Sequence, residues 1–218
     1  MEPAMKVIES NDRARRVRER GAIYGLLACL YRREPNRDLI SELRRPDVYR
    51  QLVGAGMELD ADELLAPAIE QVVTRLGEDY AALFIAPGTR IPLNESVHRE
   101  GEGSFMGNST IHVRRFIRSL GMNIDARWTE FADHLAIEFE IMQRLADAEA
   151  DGCERKDADL AADCAARQRT LLDEHISQWV PGLCDAIERG AGSTFYRELA
   201  RLTRSFVERE IDALGESA

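Results

Sequence analysis

Apolar residues return at intervals of three and four along nearly every segment long enough to show a period, while strand-like alternation is almost absent. A 3.6-residue repeat puts each segment's apolar side chains on one stripe, and that stripe must be covered by another helix. The chain is therefore expected to be an all-α bundle. Its first stripe, Val17, Tyr24, Leu27 and Tyr31, predicts a helix from about Asn11 to Arg33, stopped by Pro35. Short helices are expected over 37–44 and 46–54. Val72, Leu76, Tyr80, Leu83 and Phe84 predict another from about Ala61 or Pro67 to the Pro87-Gly88 pair. Further helices are expected over 108–120 and from about Thr129 to the Asp151-Gly152 break. A long one should then carry Gln168, Leu172, His175, Ile176 and Trp179 inward until Pro181, and a last one Phe195, Leu199, Leu202 and Phe206.

The periodicity fails from Ala86 to about Ser104, where two Pro and three Gly interrupt a long irregular stretch. Long irregular connections inside a compact domain tend to be functional. With 218 residues the chain is long enough for an independent core, and no internal repeat divides it. One helical domain over 10–216 is expected, with a long loop between central helices and residues 1–9 as a disordered tail.

Charge and apolar content narrow the function classes. Against 29 Lys+Arg stand 39 Asp+Glu, a net of -10, which repels nucleic acid and anionic lipid unless the basic residues cluster. The longest uncharged run near the N-terminus, Gly21–Tyr31, is 11 residues, well short of the ~20 that cross a bilayer. No secretory signal pattern is present, so membrane insertion is not expected and a cytoplasmic location is. Cys29, Cys153, Cys164 and Cys184 form no C-x-x-C pair, and reduced, mostly buried thiols are expected rather than a zinc or disulfide framework.

Glu130, Asp133, His134 and Glu138 crowd a short segment, and spacings of three and four would set Glu130, His134 and Glu138 along one helical ridge. First-turn carboxylates that complement a helix dipole, beside a core histidine, are the plainer account. A metal- or cofactor-handling enzyme using His134, Glu138 and His175 is the alternative. A di-iron bundle, however, wants a Glu-x-x-His pair on each of two helices, and the spacing here is Glu-x-x-Asp-His. Ser96 lacks the G-x-S-x-G frame of a hydrolase. Arg13, Arg15, Arg16, Arg18 and Arg20 could meet a phosphate backbone, but helical spacing scatters them around the cylinder. A helical transcription regulator would also need three short helices where one long one is expected.

Four stretches, in order, resemble the TorD/DmsD/NarJ family of redox-enzyme maturation chaperones. They are Tyr80-Ala-Ala-Leu-Phe84 before Pro87-Gly88; Pro92-Leu-Asn-Glu95-Ser96-Val-His98; Glu130-Phe-Ala-Asp133-His134-Leu135 with Glu138-Phe-Glu140-Ile-Met142; and Gln168 through His175 to Trp179. Three positions depart from the family pattern. His98 stands for Tyr, Phe131 for Pro and Leu172 for Phe. The resemblance implies a chaperone with no catalytic residue, cofactor or metal of its own. Its implied partners are the twin-arginine leader peptide and the apo catalytic subunit of a molybdoenzyme of the DMSO-reductase type, and its implied state a monomer or a domain-swapped dimer. Implied client contacts are Tyr80, Phe84, Pro92, Glu95, Ser96, Glu130, Phe131, Asp133, His134, Leu135, Glu138, His175 and Trp179. A leader presents two guanidinium groups followed by an apolar segment, so a receptor needs carboxylates beside apolar walls.

Overall fold

The computed structural model describes residues 2–88, 90–101, 103–124, 128 and 130–215, with the side chains of 2–10 and 214–215 left aside. Eleven α-helices run in order among them. These are α1 (Glu2–Arg32), α2 (Arg37–Leu43), α3 (Pro46–Gly54), α4 (Ala61–Leu64), α5 (Ile69–Tyr80), α6 (Glu95–Glu100), α7 (Asn108–Ser119), α8 (Leu135–Arg155), α9 (Ala158–Leu171), α10 (Ser177–Gly190) and α11 (Thr194–Gly215). Two π-turns, Ala81–Ile85 and Leu172–Ile176, extend α5 and join α9 to α10. Among the described residues there is no strand, only an isolated antiparallel bridge between Asn94 and His134. None of the described helices is long and apolar enough to cross a membrane.

The chain gathers into two compact units, one of α1 with Asn94–Gln178 and one of Arg33–Leu93 with the segment from Trp179 onward. Neither unit is contiguous, so no single cut divides the expected 10–216 domain.

In the first unit α8 packs along α1 and α9. Tyr24 and Tyr31 flank Phe139, with ring centroids 5.7 and 6.5 Å apart. Toward the other end the contact narrows to Ala14, Val17, Ala146, Ala150, Cys153 and Ala161, all buried. Small residues let the helix axes approach closely, and at Gly152 the backbone of α9 comes nearest: a Cβ there would stand 2.9 Å from the Ala161 nitrogen. Arginines of α1 reach across to carboxylates of α8. Arg13 and Arg20 bind Glu149 at 2.9 and 3.2 Å, and Arg18 binds Asp151 at 2.6 Å and Glu154 at 3.1 Å.

In the second unit Tyr80, Phe84 and Tyr196 form an aromatic cluster with centroids 4.8 to 6.1 Å apart. Burial holds the Tyr196 hydroxyl well above its ordinary pKa, with Tyr80 and Asp79 adding to the shift. Asp79 accepts the Gly192 and Ser193 amides at 3.0 and 2.9 Å and so satisfies donors at the start of α11.

Several expectations are corrected. The backbone is helical from Glu2, where a tail over 1–9 was expected; Met1 lies outside the described residues. The irregular stretch over 86–104 contains α6. The central helix starts at Leu135 rather than Thr129, because the chain before it pairs with Asn94. It also runs through Gly152 and ends only at Arg155, where Lys156 turns left-handed with φ 60°. Pro181 lies inside α10 without ending it. Cys153, Cys164 and Cys184 are buried and Cys29 is exposed, all as free thiols. Burial pushes the Cys184 thiol up to about 12.

Candidate functional site

Residues from three of the four resembling stretches meet in the first unit. Asn94, just before α6, pairs with His134, just before α8. Beside that bridge the Glu95 amide donates to the Asp133 carbonyl at 3.0 Å, and the Ser96 amide to Asp133 Oδ2 at 2.9 Å. The Asp133 side chain thus caps α6 from a distant segment, which six residues of weak helical pattern require. The Thr110 hydroxyl donates to Ser96 Oγ at 3.5 Å, which ties α7 to the same point. The Glu100 carboxylate accepts the Asn108 and Ser109 amides at 2.8 and 2.7 Å, completing the start of α7 and holding its pKa below the ordinary range.

His134 caps α8, its Nδ1 accepting the Ala136 amide at 3.1 Å. Its ring meets Trp128 edge-on at 5.3 Å, and Arg32 lies over the Trp128 ring at 5.0 Å. Burial drives the His134 pKa down to about 4, with Asp133 opposing and Arg32 adding to the shift. The acceptor role of Nδ1 fits the same neutral form.

Glu95 lies one residue along α6, in contact with the π-turn of Leu172–Ile176. Its Oε2 is 2.7 Å from His175 Nδ1, and its Oε1 accepts from Arg99. Arg99 also donates to the Glu174 carbonyl at 2.9 Å. A π-turn widens the helix locally and is often found at functional positions.

Asn94, Glu95, Ser96, Thr110, Asp133, His134, Glu138 and His175 are each 5% exposed or less. Such a concentration of buried polar groups needs partners throughout. Asn94 Nδ2, Asp133 Oδ1 and Trp128 Nε1 are nevertheless buried with none among the described residues. A cleft of about 410 Å³ opens beyond Trp128, walled by Ile117, Met122, Ile137 and Ile141 and rimmed by Arg32, Glu140 and Arg144.

The thirteen residues singled out from the sequence do not all share this place. Glu95, Ser96, Asp133, His134 and His175 are brought together. Leu135 and Glu138 are buried in the first turn of α8, and Phe131 is half-buried with its ring 6.0 Å from Phe105. Glu130 is exposed on a bend outside the helix. The expected ridge of Glu130, His134 and Glu138 along one helix is therefore absent: only Glu138 is within α8, and His134 is its cap. Asp133 and His134 are both buried. Tyr80, Phe84, Pro92 and Trp179 belong to the second unit, where Tyr80, Phe84 and Trp179 are buried.

Sequence reasoning missed Asn94, Arg99, Trp128 and the cleft. Arg99 had a readable signal, since it follows Glu95 by four residues, the spacing of a helical ion pair. Among the described residues no three of His, Cys, Asp and Glu gather to hold a metal ion. His134 and His175 each have a ring nitrogen engaged within the chain.

The model of the nitrate reductase delta subunit family matches residues 51–185. The chaperone protein TorD of Shewanella pealeana is 22% identical over 211 residues, 89% of each chain. The chaperone protein YcdY of Escherichia coli is 26% identical over 194 residues, 88% of this chain and 94% of that one. The perchlorate reductase assembly chaperone protein of Dechloromonas aromatica is 26% identical over 155 residues, 66% of this chain and 68% of its own. A putative redox enzyme maturation protein from Archaeoglobus fulgidus shares the fold with a TM-score of 0.53, at 20% identity over 87% of this chain and 93% of that one. The matched segment spans α6, the Asp133-His134 pair and the π-turn that holds His175, and the chain belongs to the nitrate reductase delta subunit family, the TorD-like group of redox-enzyme maturation proteins.

Proposed function

We propose that the chain is a cytoplasmic, system-specific chaperone that binds the twin-arginine leader, the apo catalytic subunit or both, of a molybdoenzyme of the DMSO-reductase type. Binding would keep the client from premature export while its cofactor is inserted, and the chain itself would catalyse no bond change. The relatives named as chaperones of TorD type and of perchlorate reductase assembly support this class of activity.

The observation that carries the reading is the buried polar seam from Asn94 through Asp133 and His134 to Glu95 and His175. Burying so many polar groups in one place is costly, and a fold alone would be served as well by apolar side chains. The seam holds two buried carboxylates, Glu95 and Asp133, and Trp128 joins it to the apolar-walled cleft. Carboxylates suit the two guanidinium groups of a leader, and the cleft suits the apolar segment that follows them. The remaining predicted contacts, from Tyr80, Phe84, Pro92 and Trp179 in the second unit to Phe131, Leu135 and Glu138, belong to the same proposal.

Calorimetric titration of the full chain with a leader peptide, at low and high salt, tests it. The peptide should bind, and replacing both arginines by glutamine should weaken binding without abolishing it. A hydrogen bond to a charged group contributes on the order of 1.5–3 kcal/mol and each buried Leu-sized side chain roughly 1.5–3 kcal/mol, so an apolar segment of three or four such side chains outweighs two arginines. No heat and no co-purifying client subunit from the native host would overturn the reading.

A further inference from the structure

Glu95 has no exposed surface, and both of its carboxylate oxygens are taken. The two partners differ in kind. On one side stands His175, itself buried, at 2.7 Å; on the other is Arg99, whose side chain is 37% exposed. A buried carboxylate must keep its compensating donors, so a client guanidinium cannot simply be added to Glu95. It can only replace one. Arg99 is the replaceable partner, because its guanidinium reaches Glu95 from the solvent side while His175 is enclosed.

The place Arg99 occupies offers a guanidinium two acceptors. One nitrogen serves the Glu95 carboxylate and also the Glu174 carbonyl at 2.9 Å. The two N–H groups of that nitrogen meet both acceptors, so an incoming guanidinium finds the same pair once Arg99 has left. Arg99 also sits in the last turn of a six-residue helix that ends at Gly101 with φ 101°, and Gly103 follows with φ 86°. The firm attachment of α6, at Asp133, lies at its other end. Its last turn can therefore release Arg99 without disturbing the Asn94–His134 bridge.

We propose that the Glu95 carboxylate and Glu174 carbonyl form a guanidinium-binding site, filled by Arg99 in the client-free chain, which a client arginine enters by displacing Arg99. The inference rests on the leader-binding reading for the identity of the client. Arg99 acts as a built-in competitor: it keeps the buried Glu95 charge paired and weakens binding of every ligand that cannot outcompete it. Apparent affinity falls by the fraction of molecules in which the site is open.

The test uses the full-length wild type, Arg99→Ala, Arg99→Lys and the double variant Arg99→Ala/Glu95→Gln, with ethylguanidinium and a twin-arginine leader peptide as probes. Arg99→Ala should melt below wild type and be restored by millimolar ethylguanidinium. Wild type and the double variant should not respond. Arg99→Ala should bind the leader roughly tenfold more tightly than wild type, with Arg99→Lys between them. A purely structural Arg99 predicts the opposite sign, since damage to α6 would weaken the peptide. Failure of ethylguanidinium to restore Arg99→Ala, or measurable leader binding by wild type with equal or weaker binding by that variant, overturns the proposal. Glu95-dependent restoration with no leader binding by any form supports the guanidinium site and overturns the leader-binding reading instead. Should Arg99→Ala not fold, Arg99→Lys carries the peptide comparison, and affinity no higher than wild type overturns the proposal.

Discussion

The Ser96 amide donates to Asp133 Oδ2 at 2.9 Å across 37 residues of sequence, so the residue two before α8 is also the cap of α6. Two chain segments are fastened at one carboxylate. Replacing Asp133 by Ala leaves a buried amide without an acceptor, which costs on the order of 1–3 kcal/mol. For a chain of this size that corresponds to a fall in melting temperature of about 2–4 °C per kcal/mol. Asp133→Asn keeps a carbonyl oxygen for the Ser96 amide and should recover most of the loss. Thermal denaturation of both variants checks this, and an Asp133→Ala protein melting with wild type would show that the α6 cap carries no stability.

His134 makes a specific pH dependence. Burial lowers its folded-state pKa to about 4, while an unfolded histidine titrates near 6.5. Between those values the unfolded chain binds a proton that the folded chain does not. The contribution to stability is therefore fully present above pH 6.5 and is lost as pH falls toward 4. The interval amounts to roughly 3 kcal/mol. His134→Asn retains a side-chain acceptor at the cap of α8 without a titrating group. Urea unfolding across pH 4–7 should show a shallower slope for the variant than for wild type. Parallel slopes would mean that His134 accepts its proton in the folded state.

Where a stripe of apolar residues coincided with clear punctuation, the sequence located the helix closely. Pro46 begins α3, and Gly121, with φ 68°, follows the end of α7. Two things were not legible. The helix α6 is too short to display a period and takes its cap from Asp133, a bond no local pattern announces. The segment Glu130 to His134 has helical spacing but forms a turn closed from the His134 amide to the Phe131 carbonyl, and gives its Asp133 carbonyl to the Glu95 amide. Spacing is a necessary condition for a helical ridge, and tertiary pairing overrode it. At the site, the motif residues were identifiable by type and order. Their roles depended on tertiary pairing, which makes Asp133 the cap of α6 and His134 the cap of α8. Arg99 went unnoticed because the helix that brings it to Glu95 did.

Gly152 lies in the last turn of α8, still within the helix, where glycine costs conformational entropy that alanine would not. The close approach of α9 accounts for it. An added Cβ would lie 2.9 Å from the Ala161 nitrogen and 3.2 Å from the Asp157 carbonyl oxygen, both backbone atoms that cannot rotate away. Gly152→Ala should therefore destabilise by about 1–3 kcal/mol despite the better helix propensity. Chemical denaturation measures it. A stabilised variant would show that α9 can shift outward at little cost.

The arginines near the start of the chain bear on the same pair of helices and on the nucleic-acid alternative. Arg13 and Arg20 converge on Glu149, Arg18 spans Asp151 and Glu154, and Arg15 pairs with Glu19 at 3.1 Å. Four of the five cations that could have followed a phosphate backbone thus face carboxylates of this chain. Gln168 adds a bond to Glu149 at 2.8 Å, which makes that carboxylate, only 4% exposed, the centre of the group. Removing it takes the Glu149 ion pair from Arg20, itself largely buried, and an acceptor from Gln168; the half-exposed Arg13 contributes little because solvent screens it. Glu149→Ala should cost about 3 kcal/mol or more, and Glu149→Gln distinctly less because it keeps an acceptor for both neighbours. Urea unfolding of the two variants separates these values. Fluorescence anisotropy of the wild type with a labelled duplex should show no binding that falls with added salt. Micromolar, salt-sensitive DNA affinity, together with an unperturbed Glu149→Ala protein, would mean that these arginines are free to serve another partner.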